Sequence, residues 1–190
     1  YHNYKLTGEY KDSIASTVGF VPFDYKTQQW AEKNDWKWRA MPITRDMLPE
    51  VLPAGSKLGK ISAAAAIETG IPEGLTLISS GSDKACEVLG TGCTDAHTGS
   101  LSYGSLATIN IASDKYLEAI PFYPAYPGVV PGTFNVEMMV QRGYWMVSWF
   151  KQEFGLHETQ QSAEQKVSPE SLFDQLLAEV PAGSDGLMLQ

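Results

Sequence analysis

The stretch from Leu75 to Leu89 limits what this chain can fold into more than any other. Leu75-Thr76-Leu77-Ile78-Ser79 is a short apolar and β-branched run, which predicts a buried strand. It runs into Ser80-Gly81-Ser82, small residues suited to a tight turn. Asp83 follows, then Ala85, Val88 and Leu89 at helical spacing, with Gly92 near the end. The order is strand, turn, helix, with an acidic residue at or near the helix N-cap. A carboxylate there sits where α/β sheets gather their ligands, and the helix dipole and free N–H groups keep it ionised. The same pattern serves more often as a plain helix cap, so Asp83 alone does not identify a site.

A second feature lies downstream. Leu101 and Tyr103 alternate on one side of Gly104-Ser105, and Ala107, Ile109 and Ile111 alternate on the other, which predicts a hairpin turning at Gly104-Ser105. A tip with almost no side chain lets a phosphate approach backbone N–H groups, although an ordinary tight turn looks the same.

Around these the chain reads as mixed helix and strand. Ser62 caps a helix over Ala63–Thr69, stopped by Gly70 and Pro72. Residues 114–133, rich in Pro and aromatics, predict an ordered loop. Residues 134–154 carry both a strand alternation and a helical stripe; we read a strand to about Val140 and a helix from about Gly143. Polar residues 157–167 predict a loop, and Ser168-Pro169-Glu170 opens a last helix. Gly186 to Gln190 has the look of a strand beginning, and the chain opens without Met inside a structured segment, so it reads as a piece of a longer protein.

Composition narrows the function classes. The formal net charge of -8 and the absence of a basic run argue against nucleic acid or an anionic membrane as partner. An anionic nucleotide is not excluded, because helix N-termini and backbone N–H groups hold phosphates without net positive charge. Cys86 and Cys93, if they share one helix, stand about 10 Å apart along its axis, too far for a disulfide. There is no metal-ligand spacing, and no apolar run of membrane length or signal segment. The expectation is a cytoplasmic protein.

Taken in order, the motifs resemble one family throughout. They are Tyr4-Lys5-Leu6-Thr7-Gly8-Glu9-Tyr10, the connector Leu48-Pro49-Glu50-Val51-Leu52-Pro53, Ala64-Ala65-Ala66, Thr69-Gly70-Ile71-Pro72-Glu73-Gly74, Ser80-Gly81-Ser82-Asp83-Lys84-Ala85 and Thr98-Gly99-Ser100-Leu101-Ser102-Tyr103-Gly104-Ser105. This series resembles the FGGY carbohydrate kinases, of the xylulokinase and glycerol kinase kind, over essentially the whole chain. Family members show a leucine-proline connector, a Thr-Gly-Leu-Pro helix end, a Gly-Gly-Asp-Asn or Gly-Gly-Asp-Gln turn and a Ser-Leu-Gly-Thr hairpin.

The resemblance implies an α/β fold made of parts of two actin-like, ribonuclease-H-like domains. Residues 1–96 would end the first, sugar-binding domain and 97–190 would begin the second, ATP-binding one. It implies an enzyme that uses ATP and Mg²⁺ to phosphorylate a sugar or polyol, with a homodimer among the assemblies it allows. Asp83 matches the general base, and Asp83 with Lys84 the sugar side. Gly104, Ser105 and Tyr144 match the ATP side. The family's first phosphate hairpin and its adenosine segment would lie outside residues 1–190, so this piece alone is expected to be inactive. Lys84 stands where the family has Asn or Gln, and could pair an acidic sugar or the base itself. Ser105 stands for Thr. Gly143 through Trp149 resembles Gly-Gly-Ser-Ala-Leu-Arg-Trp, which puts Tyr144 on the second, nucleotide-facing Gly. We expect its ring to pack inward with Trp145 or Phe150. The alternative is a catalytically degenerate member that binds sugar or nucleotide as a sensor or scaffold.

Overall fold

A computed structural model describes residues 1–188. The chain forms two compact units. The first comprises Tyr1–Ser102 and Thr108–Met139, and the second Tyr103–Ala107 with the chain from Val140 onward. This packing division does not run at 96/97, because the strands after residue 98 fold mostly with the residues before it.

In the first unit, α1 (His2–Thr7) leads into β1 (Lys11–Ser13), which pairs in parallel with β4 (Glu50–Leu52). The residues between them fold as the small hairpin β2 (Phe23–Asp24) and β3 (Gln29–Trp30), then α2 (Lys37–Ala40). Ile14, Phe23 and Val51 are buried together, with Tyr25 and Trp30 packed against them. The Trp30 ring N–H donates to the Pro49 carbonyl at 2.8 Å, which ties the hairpin to the leucine-proline connector.

Beyond the connector, β5 (Lys57–Lys60) pairs antiparallel with β6 (Thr76–Ile78), and α3 (Ala63–Thr69) lies between them. Ser62 Oγ caps α3 by accepting from the Ala65 N–H, as the sequence predicts. The predicted strand exists, but it is not buried: Ile78 is 52% exposed. Among the described residues it pairs with β5 alone, so a run of β-branched residues here marks strand propensity rather than a core position.

Next comes α4 (Asp83–Gly90), then a sheet of β7 (Gly99–Tyr103), β8 (Ala107–Ser113), β10 (Phe134–Val140) and β9 (Tyr126–Pro127), in that order across the sheet. Val88 of α4 packs on Ala112 of β8 with Cys93 between. The two cysteines do not share a helix. α4 ends at Gly90, and Cys93 lies beyond it, its thiol donating to the Thr98 carbonyl at 2.9 Å. Both are free.

The second unit contains α5 (Trp145–Phe154), α6 (Leu156–Gln165) and α7 (Pro169–Leu177). The strand-then-helix reading of 134–154 matches β10 and α5. Ser168 caps α7 with Pro169 in its first turn. Residues 157–167, expected to be a loop, are mostly helix. Glu, Gln and Ala there are good helix formers, and only Ser162 of α6 is buried, so the polarity reflects an exposed helix. The strand expected from Gly186 is not seen at its described end: Ser184–Gly186 is a 3₁₀ turn, and Leu189 and Gln190 lie outside the described residues.

A cluster of tyrosines carries a measurable signature. Tyr25 and Tyr126 meet edge to face at 5.2 Å, and Tyr126 meets Tyr123 at 6.2 Å. Burial pushes the Tyr25 hydroxyl up to about 12 from 10.0, against the pull of the Phe20 backbone. Burial, and then the Glu137 carboxylate, push Tyr123 to about 12. A hydroxyl that ionises later in the folded state stabilises fully below the ordinary tyrosine range and loses that contribution as pH rises through its raised value. Stability should therefore fall between about pH 10 and 12. Tyrosinate absorbance should show late-ionising groups in the native chain and ordinary ones in denaturant, and Tyr25→Phe should remove one late group.

Candidate active site

The turn before α4 is built by exclusion of a side chain. A Cβ on Gly81 would lie 2.8 Å from Val129 Cγ2 and 3.2 Å from the Cβ atoms of Ala15 and Ala85, so only glycine fits without displacement. Upstream, Ser79 Oγ donates to the Pro53 carbonyl at 2.9 Å and accepts the Ser56 N–H at 3.0 Å, which anchors the end of β6. Ser82 donates its N–H to the Ala15 carbonyl at 2.9 Å, and its Oγ accepts the Ala85 N–H at 3.2 Å.

Ser82 is thus the cap of α4, and Asp83 is its first helical residue. The N-cap residue is Ser82 rather than Asp83, although Asp83 still bonds one N–H of the first turn. The Asp83 side chain is exposed, with Oδ1 accepting the Lys84 N–H at 2.7 Å.

Lys84 does not form an ion pair with Asp83. Its Nζ lies 2.7 Å from Glu87 Oε2, one turn along α4. The Lys84 ammonium first, and the Ser102 hydroxyl of β7 second, hold the Glu87 carboxyl below the usual glutamate range. Glu87 was not singled out from sequence, although its spacing from Lys84 is the one at which helix neighbours meet.

In the second unit, the hairpin tip meets the start of α5. The Gly104 carbonyl accepts the Tyr144 N–H at 3.0 Å, and the Gly104 N–H is committed to the Leu106 carbonyl at 2.9 Å. A Cβ on Gly143 would lie 2.7 Å from the Ser105 carbonyl carbon and closer still to the Gly104 oxygen. Gly143 is therefore the residue that lets the two segments touch. Ser105 at the tip is exposed.

Tyr144 does not pack inward with Trp145 or Phe150. Its ring meets Tyr103 edge to face at 5.7 Å and is 60% exposed. Phe150 instead packs on Phe154 and Phe173, and Trp145 takes the Arg142 guanidinium over its ring at 5.7 Å. The cause is the backbone bond to Gly104, which holds Tyr144 beside the hairpin. The predicted residues thus form two groups, Asp83 with Lys84 in the first unit and Gly104, Ser105 and Tyr144 in the second. Among the described residues, no set of three or more His, Cys, Asp or Glu side chains could hold a metal ion. Among them also, no helix is long and apolar enough to cross a membrane.

No family model matches the chain. It is 33% identical over 190 residues to an uncharacterized sugar kinase of Escherichia coli (strain K12), covering 99% of this chain and 38% of that protein. It is 24% identical over 187 residues to a xylulose kinase of Lactococcus lactis, covering 96% of this chain and 34% of the relative. A crystal structure of a xylulose kinase from Rhodospirillum rubrum superposes with a TM-score of 0.78 at 25% identity, over 98% of this chain and 36% of the other. The chain therefore spans roughly a third of the length of the proteins it matches.

The junction of hairpin and helix makes a direct prediction. Gly143→Ala should force the tip off α5, cost about 1–3 kcal/mol as an overpacking change and speed hydrogen exchange at the Tyr144 amide. Denaturant unfolding and amide exchange would read both effects.

Proposed function

We propose, from the premise that this chain belongs to the FGGY-like carbohydrate kinases, that its full-length protein transfers the γ-phosphoryl group of ATP to a sugar or polyol hydroxyl. In the family's frame, residues 1–96 close the sugar-binding domain and 97–190 open the ATP-binding one. The observation that carries this reading is the Asp83 carboxylate, exposed in the first turn of α4 just after the Ser82 cap.

In this reading Asp83 is the general base. As the sugar oxygen bonds to phosphorus, its proton passes to a carboxylate oxygen, and the bond from phosphorus to the ADP oxygen breaks. Phosphoryl transfer depends mostly on positioning and charge stabilisation, so a rigid carboxylate within hydrogen-bond reach of the attacking hydroxyl is a sufficient base. The wedge at Gly81 and the Ser82 cap supply that rigidity. Lys84 lies beside the base on the sugar side. At the hairpin the Gly104 N–H is already bonded, so Ser105 offers the phosphates its hydroxyl and the bare tip its approach. Mg²⁺ neutralises phosphate charge when bound. Two free thiols and a chain without basic runs suit a cytoplasmic enzyme acting on small molecules.

One observation favours the second reading, a degenerate binder. The exposed Tyr144 ring puts bulk beside the hairpin that would hold phosphate. The readings separate in the full-length protein. A kinase consumes ATP only when its sugar is present, whereas a degenerate member binds without turnover. For the kinase, Asp83→Asn should fold normally and lose about 10²-fold or more in turnover, and sugar-dependent ADP release near the unmutated rate would reject the base assignment. The 190-residue chain alone, about a third of its relatives, should consume no ATP with any sugar.

A further inference from the structure

We propose that Glu87 is a positioning residue for the candidate base, holding the Lys84 ammonium away from the Asp83 carboxylate. The inference rests on the reading of Asp83 as the base, but it has a readout of its own.

Asp83, Lys84 and Glu87 occupy the first two turns of α4. Asp83 and Glu87 are four residues apart and so share a face, with Lys84 one residue after the base. A flexible ammonium next to a carboxylate pairs with it readily, and an ion pair on a general base lowers its proton affinity and screens it from a substrate hydroxyl. That pair is not formed. Lys84 Nζ sits 2.7 Å from Glu87 Oε2 instead. The Lys84 ammonium, and after it the Ser102 hydroxyl of β7, keep the Glu87 carboxyl below the usual glutamate range, so the acceptor stays charged.

The alternative is an ordinary surface pair. The Lys84 and Glu87 side chains are 30% and 40% exposed, and such pairs contribute little to stability. Stability is therefore the wrong measure of it. What matters is where the positive charge rests. On Glu87 it forms a neutral pair; on Asp83 it blocks the base. Within α4 the pair formed is Lys84 with Glu87, and the side chains of other elements that touch Gly81 are the apolar Ala15 and Val129. Residue type at 87 should then matter more to the reaction than to the fold.

Glu87→Gln, Lys84→Gln and the double variant in the full-length protein test this. Two measurements apply, the pH dependence of kcat/KM and the ¹⁵N signal of the Lys84 ammonium across the acid range. In the unmutated protein that signal should follow Glu87, and in Glu87→Gln it should follow Asp83. The latter response should vanish in Asp83→Asn/Glu87→Gln. Glu87→Gln should lower kcat about tenfold and move the acid limb of the pH profile about one unit down, with melting temperature unchanged. Adding Lys84→Gln should restore the limb, which a purely structural role for Glu87 could not do. A Lys84 signal in Glu87→Gln that ignores Asp83 overturns the inference, whether or not the protein turns over sugar. If the signal transfers to Asp83 but no sugar supports turnover, the positioning stands and the kinase reading fails.

Discussion

The absence of a side chain at Gly81 is the constraint on which the rest depends. That position is enclosed by Val129, Ala15 and Ala85, three residues far apart in sequence, and it fixes how the chain leaves β6 and enters α4. With the turn pinned, Ser82 reaches both the Ala15 carbonyl and the Ala85 N–H, and Asp83 is delivered to the first helical position with its carboxylate exposed. A larger residue at 81 would shift the whole turn, and with it the Asp83 carboxylate. The polar neighbours of Asp83 then decide how available that carboxylate is, and in this chain they are a paired lysine and glutamate.

A similar close approach organises the second group. Gly143 lets α5 start against the hairpin tip, and the Tyr144 N–H closes the contact on the Gly104 carbonyl. The Gly104 N–H is bonded to the Leu106 carbonyl, so the tip does not present that donor to an anion. The Tyr144 ring is left beside the tip, edge to face with Tyr103. If the hairpin meets phosphate as proposed, it would do so with the Ser105 hydroxyl and open space more than with free N–H groups.

Local signals were the legible part. Caps, helix stops, the hairpin and the change from strand to helix near Val140 all depend on residues within a few positions of each other, where spacing is informative. Asp83 and Gly104-Ser105 stand out as candidates for the same reason, and motif order ties them to a family that the relatives support. What sequence did not show depends on distant neighbours. Ser82 rather than Asp83 caps α4 because Ala15 stands where it can accept the Ser82 N–H. Tyr144 turns outward because Gly104 holds its backbone. The exposure of β6 reflects how many strands flank it, which its own residues do not encode. The helix at α6 was missed because polarity was taken for a loop, when Glu, Gln and Ala favour helix without any apolar stripe.

The central claim is that Asp83 stands against the reacting hydroxyl. A crystal structure of the full-length protein with its sugar and a non-hydrolysable ATP analogue tests it most directly. The account predicts one sugar oxygen about 2.6–3.2 Å from an Asp83 carboxylate oxygen, on a line towards the γ-phosphorus. A sugar bound with another carboxylate at that oxygen, and Asp83 turned to solvent, would contradict it.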